Sequence, residues 1–181
     1  CEFAHTAFAT VQVSASQYWV IDGSTFIDGQ YGLYMTSSTD CVINGSTFMY
    51  ATYYGIYAPS SSDRRNNVTH CYFEGSKSGL YLANGQDWNI LYNTFRWNTQ
   101  YGLSLHSTTG TTVYGNTFVG NMISNGYDDQ VEYWDDGVDT GNMWDDYSGS
   151  GVYTIAGAGA TDRYPSRYLS TTPILSDPQD V

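Results

Sequence analysis

Carboxylates are the side chains whose type and spacing most readily suggest chemistry in this sequence. Between Asp128 and Asp146 the chain carries many acids and no Lys or Arg. Carboxylate oxygens are the ligands that hard cations such as Ca²⁺ prefer, although the spacing of an EF-hand loop is absent here. One hypothesis is a Ca²⁺ site formed by Asp128, Asp129, Asp135 and Asp136. The alternative is that these acids accept hydrogen bonds from turn amides.

The remaining acids do not predict a catalytic pair. A polysaccharide hydrolase needs two carboxyl groups about 5–10 Å apart. The scattered acids are Asp22, Asp28, Asp40, Asp63, Glu74 and Asp87. Arg96 and Glu74 are expected to form a surface ion pair rather than to serve a lyase. We predict no catalytic residue. If the protein does catalyse a reaction, we expect a hydrolase or lyase acting on a polysaccharide.

Aromatic side chains suggest a contact surface. The chain has 18 tyrosines and 5 tryptophans. Tyr34, Tyr57 and Tyr81 recur at one position of a repeat and are expected to point outward as a column, while Trp88 and Trp97 add further apolar faces. Exposed rings of this kind can stack on sugars, contact another protein or shield a sheet from solvent. All three interpretations remain open for these five residues.

The charge of the chain excludes some partners. The net charge is −12 with only 6 basic residues, so no basic face is available to neutralise a nucleic acid. No apolar run is long enough to span a bilayer. Two Asn-x-Ser/Thr sequences, at Asn44 and Asn67, are potential N-glycosylation sites of an exported protein.

A repeat of 22–25 residues must position all of these side chains. It is visible in "VIDGSTFIDGQYGLYMTSS" from Val20 and in "NILYNTFRWNTQYGLSLHS" from Asn89. The recurring anchors are Phe26, Phe48, Phe73, Phe95 and Phe118, and Gly32, Gly55, Gly79 and Gly102. Each repeat holds two short alternating runs separated by Gly, Asn and Ser, and no helical period. This pattern predicts an all-β fold, a right-handed single-stranded parallel β-helix of about five to six coils.

The repeat also predicts an inward column of small polar residues at the turn before each Phe. Its members are Ser24, Ser46, Cys71, Asn93 and Asn116, which we expect to hydrogen-bond along the stack. Residues 1–127 are predicted to form the coils, with an incomplete first coil, and residues 128–181 an acidic cap and extended tail. Because the first coil starts in mid-repeat, we expect its open end to meet upstream coils of a longer chain or another copy.

The C-terminal third resembles a known family. The segments "YWDDGVDTGNMWDDY", "YTIAG" and "DRYP" are similar to the cap of NosD-like right-handed β-helix proteins, and the coils resemble theirs over residues 10–168. This resemblance implies a pectin-lyase-like fold and export. Relatives often carry a calcium-loop-like insertion where only "SGSGV" stands here, so it implies no calcium loop at that point. The copper-related role of NosD is not carried over, because the chain has only His5, His70 and His106 and no Met/His cluster.

These observations predict a secreted or cell-surface β-helix with a structural or assembly role, such as a surface-layer, fibre, filament or adhesin-like subunit. The expected partners are further copies or upstream coils, and no cofactor is expected apart from the hypothetical Ca²⁺. The alternative function is a carbohydrate-binding or carbohydrate-active β-helix whose ligand is a polysaccharide.

Overall fold

A computed structural model describes residues 1–4 and 7–169, which fold as a parallel β-solenoid. His5 and the end of the predicted tail lie outside the described residues. The strands are β1 (Glu2–Ala4), β2 (Ala9–Ser14), β3 (Val20–Asp22), β4 (Thr25–Ile27), β5 (Tyr31–Thr36), β6 (Val42–Asn44), β7 (Thr47–Met49), β8 (Tyr54–Ala58), β9 (Asn67–Thr69), β10 (Tyr72–Glu74), β11 (Ser78–Ala83), β12 (Asn89–Leu91), β13 (Thr94–Arg96), β14 (Tyr101–His106), β15 (Thr112–Tyr114), β16 (Thr117–Val119), β17 (Ser124–Asp128), β18 (Met143–Trp144), β19 (Tyr153–Thr154), β20 (Ala156–Gly157), β21 (Thr161–Asp162) and β22 (Ser166–Arg167). Within residues 1–4 and 7–169, no helix is long and apolar enough to cross a membrane.

Three parallel sheets run along the stack, and each regular coil adds one strand to each sheet. The first sheet contains β1, β4, β7, β10, β13, β16, β18 and β22; the second contains β2, β5, β8, β11, β14, β17 and β20; the third contains β3, β6, β9, β12 and β15. The antiparallel pair β19–β21 lies in the cap. The predicted fold class is therefore confirmed. With seven strands in the second sheet the stack has about seven turns, slightly more than the five to six expected.

A ladder of aromatic rings fills the core beneath the first sheet. In-register pairing places Phe26, Phe48, Phe73, Phe95 and Phe118 directly above one another. Their ring centroids are 4.6–5.0 Å apart and the planes are within 10° of parallel. All five side chains are essentially inaccessible to solvent. The recurring Phe residues therefore form a continuous stack in the core, and each coil contributes one ring to it.

The recurring glycines let the second sheet approach this ladder. A Cβ added to Gly55 would lie 2.5 Å from the carbonyl oxygen of Gly79 and 3.0 Å from Phe73 Cδ1. The corresponding contacts at Gly32 and Gly79 are equally short. Only a residue without a side chain fits, because backbone and aromatic ring occupy the space on both sides.

The predicted polar turn column is confirmed as a buried hydrogen-bond ladder. The Ser46 hydroxyl accepts the Ser24 N–H at 3.1 Å. Lower in the stack, Asn93 Oδ1 accepts the Cys71 N–H at 2.8 Å, and Asn116 Oδ1 accepts the Asn93 N–H at 2.8 Å. These side chains satisfy turn amides that would otherwise be buried without partners.

The coil pattern continues beyond residue 127, into the segment that was expected to form only the cap. Asn142 and Trp144 occupy the Asn and Phe positions of the next coil. The Trp144 ring stacks 4.4 Å from that of Phe118, and Asn142 Oδ1 accepts the Asn116 N–H at 3.1 Å. Asp162 ends the ladder, because its carboxylate accepts the Asn142 N–H and the Trp144 Nε1–H.

Candidate functional site

The outer surface of the second sheet carries a continuous array of aromatic rings, here called the tyrosine face. It consists of Phe8, Tyr31, Tyr34, Tyr53, Tyr54, Tyr57, Tyr81, Tyr101, His106 and Tyr127. The predicted residues Tyr34, Tyr57 and Tyr81 lie in register at its centre. The array covers five strands, β5 to β17, and Phe8 extends it to the start of β2, a length of about 24 Å at the usual spacing.

Sequence reasoning missed Tyr31 and Tyr54, which double the width of the array. Strict alternation would place Tyr31 on the opposite side of the strand from Tyr34. Instead, Gly32 and Leu33 both face the core, and the rings of Tyr31 and Tyr34 lie 5.7 Å apart on the outer surface. The signal in the sequence is the glycine itself, since glycine inside a strand marks a local irregularity.

Rings of the tyrosine face lie against one another, and in the stacked pairs each ring covers part of its neighbour's face. The Tyr31 and Tyr57 centroids are 4.8 Å apart at 17°, and those of Tyr54 and Tyr81 are 4.7 Å apart at 24°. Burial, with a smaller contribution from neighbouring Tyr81, raises the pKa of Tyr54 to about 12. The pKa of Tyr57 is raised as well, chiefly by burial. These phenols are therefore neutral throughout the physiological pH range.

One polar trio interrupts the tyrosine column. Ser104 takes the position of a tyrosine, and the His106 ring covers it by stacking between Tyr81 and Tyr127 at 4.7 and 5.0 Å. Ser104 Oγ lies 2.8 Å from His106 Nε2, and Asp129 Oδ2 lies 3.4 Å from His106 Nδ1. The order of groups is that of a hydrolytic triad. However, Ser104 is only 1% exposed and so cannot reach a substrate. The trio therefore fills a gap in the array.

The prediction that Trp88 contributes to a contact surface is wrong. Its side chain is 0% exposed, and its Nε1–H donates to the carbonyl of Asp63 at 3.2 Å. The residue stands at a turn position whose side chain enters the core, where Cys41 and Asn66 are also buried. An isolated Trp gave no repeat signal that distinguished inside from outside.

Trp97 does lie on the surface, in the turn after β13. It is 54% exposed, and the Arg96 guanidinium carbon lies 3.3 Å from its ring centroid. Tyr50, 53% exposed, occupies the same turn position two coils away. The Glu74 carboxylate accepts a hydrogen bond from the Tyr50 hydroxyl at 3.3 Å. Arg96 Nε lies 3.5 Å from the same carboxylate, which is an ion-pair distance, but the contact lacks hydrogen-bond geometry.

Two of the four acids predicted to bind Ca²⁺ instead stabilise the ends of β14 and β17. Asp128 is fully buried, and its carboxylate accepts the Glu132 N–H and the Trp134 Nε1–H, at 2.9 and 3.0 Å. Asp129 accepts the Ser107 N–H at 2.6 Å. Their carboxylates thus replace backbone partners at the transition from coil to cap.

The other two acids are engaged elsewhere in the cap. Asp135 pairs with Arg163, which holds the pKa of that carboxyl below its usual range. Asp136 accepts the N–H groups of Thr140 and Val138, which lower its pKa to about 2. Among residues 1–4 and 7–169, no group of three or more His, Cys, Asp or Glu side chains could hold a metal. The predicted Ca²⁺ site is therefore not formed by these acids.

Both potential glycosylation sites lie on the third sheet. Asn44 Nδ2 donates to Asp22 Oδ1 at 2.8 Å, and Asn44 Oδ1 accepts the Thr69 hydroxyl. Asn67 Oδ1 accepts Asn89 Nδ2 at 2.8 Å. Each side chain therefore has a place in a surface hydrogen-bond ladder, and glycosylation of either remains a prediction.

A comparison with known families gave one finding. The family model described as "Periplasmic copper-binding protein (NosD)" matches residues 4–149. No curated protein and no solved structure matches significantly.

Side chains that could bind copper do not converge in the described part of the chain. His106 belongs to the polar trio on the tyrosine face, and His70 stacks on Tyr92 in a different turn. Cys41 and Cys71 are buried at different turn positions. Imidazole and thiolate are the groups that copper prefers, so this donor arrangement does not fit a bound copper ion.

Proposed function

The chain belongs to the NosD family, and on that premise we propose that it is an exported, non-catalytic β-solenoid that associates side by side with further copies through the tyrosine face. The periplasm or the cell exterior is the proposed location. The observation that carries this proposal is an uncharged array of ten aromatic rings on a protein of net charge −12.

The orientation of the rings favours a protein partner over a sugar at this surface. Stacking on a sugar needs a ring face that is open to solvent. In the tyrosine face the central rings stack on one another, as in the pairs Tyr31–Tyr57 and Tyr54–Tyr81. The half-buried rings combine apolar carbons with phenol hydroxyls, the amphipathic combination that is enriched in protein interfaces.

Charge explains why a second copy would meet this surface rather than another. Two molecules of charge −12 repel each other over most approaches. The tyrosine face contains no Asp or Glu, and the charged groups beside it include Lys77, 5.9 Å from the Tyr53 ring, and Asp129, which faces His106. Contact through this face therefore brings few like charges together.

The cap favours side-by-side over end-to-end contact. Trp134 and Ile155 are buried beneath the last regular coil, and the β19–β21 pair lies beside them. The described C-terminal end of the core is thus covered by side chains, whereas head-to-tail stacking needs an open coil at both ends.

A single contact of this kind should be weak. The face is about 24 Å long and about 17–20 Å wide, so it offers roughly 400–500 Å². Stable interfaces bury about 800 Å² on each partner. Association through the tyrosine face should therefore become substantial where many copies are held close together, as in a surface array.

Sedimentation equilibrium over a wide concentration range tests the proposal. The wild-type protein should associate reversibly at the highest concentrations, and electron microscopy of such samples should show lateral arrays. The double variant Tyr54→Ser/Tyr81→Ser should remain monomeric. Serine is the natural choice, because Ser78 and Ser104 occupy the same positions in neighbouring strands.

Tyr92→Ser is the matched control. Tyr92 is 49% exposed but lies outside the tyrosine face, so its loss should leave association unchanged. A wild-type protein that stays monomeric at every concentration, or that associates equally well without Tyr54 and Tyr81, would rule out this contact. Association only with a different protein would equally exclude self-assembly as the main role.

A second candidate function, binding of a neutral polysaccharide, is favoured by the exposed Tyr50 and Trp97. The two rings are two coils, or about 10 Å, apart along the axis. Glu74 and Arg96 lie between them and could hydrogen-bond sugar hydroxyls. The remaining tryptophans are buried or half-buried, so Trp97 is the most accessible fluorophore.

Acrylamide quenching of tryptophan fluorescence tests this second function. Neutral hexasaccharides such as cellohexaose should protect Trp97 from quenching, and Tyr50→Ala should weaken that protection. Tyr57→Ser, which alters only the tyrosine face, should not. Unchanged quenching with every neutral oligosaccharide tested would exclude the site.

A further inference from the structure

We propose that the tyrosine face is a site of oxidative cross-linking, in which tyrosines of neighbouring coils are joined as dityrosine. This inference goes beyond side-by-side association and does not depend on it, since both tyrosines of each pair belong to one chain. The oxidant is hydrogen peroxide used by a haem peroxidase.

The solenoid holds phenol pairs in fixed proximity. The closest are Tyr31–Tyr57, with centroids 4.8 Å apart, and Tyr54–Tyr81, 4.7 Å apart. Each pair bridges two adjacent strands of the second sheet, which in-register pairing keeps at the strand spacing of about 4.8 Å. Two groups held this close react as though at very high concentration, so coupling within one chain should outrun coupling between chains.

The same pairs are accessible to the oxidant and to solvent. Tyr31, Tyr54, Tyr57 and Tyr81 are half-buried, so part of each ring remains in contact with solvent. In the described structure the hydroxyls of these four residues make no hydrogen bond to the protein, and burial is the main cause that raises their pKa values. Each phenol can therefore release its proton directly to water when it is oxidised.

Buried thiols do not compete for the oxidant at this surface. Cys41 and Cys71 are 0% and 2% exposed, and burial raises the pKa of the Cys71 thiol to about 11. The reactive form of cysteine is the thiolate, so both are protected. Met35, inside the second sheet, is 0% exposed. The phenols are thus the oxidisable groups that this sheet presents to solvent.

The proposed reaction balances with peroxide alone. Each phenol loses one electron and one proton, which gives two phenoxyl radicals. A carbon–carbon bond forms between ring carbons ortho to the two oxygens, and tautomerisation returns the ring hydrogens to the oxygens. The two electrons and two protons reduce one hydrogen peroxide to two water molecules, and the peroxidase is regenerated.

The expected consequence is a covalent cross-link between adjacent coils. A Tyr54–Tyr81 bond would close the loop of one whole coil, as a disulfide does in other proteins. The chain itself contains only free cysteines, at Cys1, Cys41 and Cys71. Cross-linking at the tyrosine face would therefore provide a covalent constraint that its thiols do not supply.

Treatment of dilute protein with hydrogen peroxide and a haem peroxidase tests the proposal. We expect blue dityrosine fluorescence in the monomer fraction, loss of two hydrogen masses per cross-link, and linked peptides that contain Tyr31 with Tyr57 and Tyr54 with Tyr81. Tyr54→Phe/Tyr57→Phe keeps the stacked rings but removes the phenols, and should lower the yield several-fold.

Tyr18→Phe/Tyr50→Phe is the matched control. Both residues are more exposed, at 73% and 53%, yet neither ring contacts another tyrosine in the described structure. This control should retain the wild-type yield. Links found mainly between molecules, or in peptides that carry Tyr18 or Tyr50, would overturn the proposal. An undiminished yield from Tyr54→Phe/Tyr57→Phe would do so as well. Failure of self-association would affect neither result.

Discussion

Single buried amides stabilise the turns at the residue scale, and Asn93 is the clearest case. Its Oδ1 accepts the Cys71 N–H and its Nδ2 donates to the Val68 carbonyl, both at 2.8 Å. Asn93→Ala leaves the Cys71 N–H buried without its partner and removes the bond to the Val68 carbonyl, so we expect a loss of about 3 kcal/mol in the free energy of unfolding. Urea unfolding measures it. Asn67→Ala, at a half-buried ladder position, should cost less than about 1 kcal/mol. Equal losses would refute the role of the buried ladder.

Asp136 links the stability of the cap to pH. The N–H groups of Thr140 and Val138 lower its pKa to about 2. Because the folded pKa lies below the unfolded one, the stabilisation is complete above about pH 4 and is lost as the pH falls towards 2. Asp136→Asn should remove this contribution, so the urea midpoints of variant and wild type should converge on acidification.

The difference in urea midpoint between wild type and Asp136→Asn reports on Asp136 alone, although other acids change the stability with pH in the opposite direction. Burial raises the pKa values of Asp63, Glu132 and Asp162, so those acids destabilise the fold as the pH rises through their titration. They are present in both proteins and cancel in the difference. A gap between the midpoints that stays constant from pH 5 to about pH 2 would contradict the assigned pKa.

Residues that recur could be placed from the sequence, and residues that occur once could not. The outward column Tyr34, Tyr57, Tyr81 and the polar turn column follow from their repetition at one position. Trp88 follows Cys41 and Asn66 at its turn position, and Asp128 follows Leu105, so neither belongs to a series of like residues; both turned out to be buried. For an isolated side chain the decision between inside and outside depends on its neighbours in space, which a single sequence does not reveal.

Close packing between sheets at the element scale makes Gly55 irreplaceable. A Cβ at this position would lie 2.5 Å from the Gly79 carbonyl oxygen and 3.0 Å from Phe48 Cβ, neither of which is the mobile end of a side chain. Gly55→Ala should therefore cost about 3 kcal/mol or more and reduce the soluble yield. Denaturant unfolding of any soluble fraction measures the loss.

Gly23→Ala is the control for this prediction. Gly23 has a φ of +53° but nothing within 4 Å of an added Cβ. The same turn position is occupied by His70 and Tyr92 at similar φ, so the backbone tolerates a side chain there. The expected cost is about 1 kcal/mol. If Gly23→Ala proved as harmful as Gly55→Ala, conformational strain rather than close approach would explain the recurring glycines.

The limits of the repeat were harder to predict than its interior. The cap continues the stack with Asn142 and Trp144, a coil hidden from the sequence pattern because Trp replaces Phe and a longer segment precedes it. The outward position of Tyr31 was missed for a related reason, because Gly32 breaks the alternation of inward and outward residues on which strand patterns depend. Pattern reasoning finds regular elements well and misses the places where geometry departs from the period.

The charge of the whole molecule yields a test of its proposed association. Each copy has a net charge of −12, whereas the tyrosine face contains no acid. The distance over which charges interact falls from about 30 Å at 0.01 M salt to about 10 Å at 0.1 M. Added salt should therefore weaken the repulsion between copies and leave the aromatic contact intact, so the association constant should rise several-fold.

Sedimentation equilibrium at the two salt concentrations measures this effect. The sign is diagnostic, because a contact held together by ion pairs would weaken with salt, whereas one that buries neutral aromatic edges against a background of repulsion strengthens. Tyr54→Ser/Tyr81→Ser should show no association at either concentration and so separates the tyrosine face from general salting-out. Weaker association of the wild type at higher salt would mean that charged groups outside the face make the contact, and the assembly would have to be sought on the acidic surfaces of the solenoid instead.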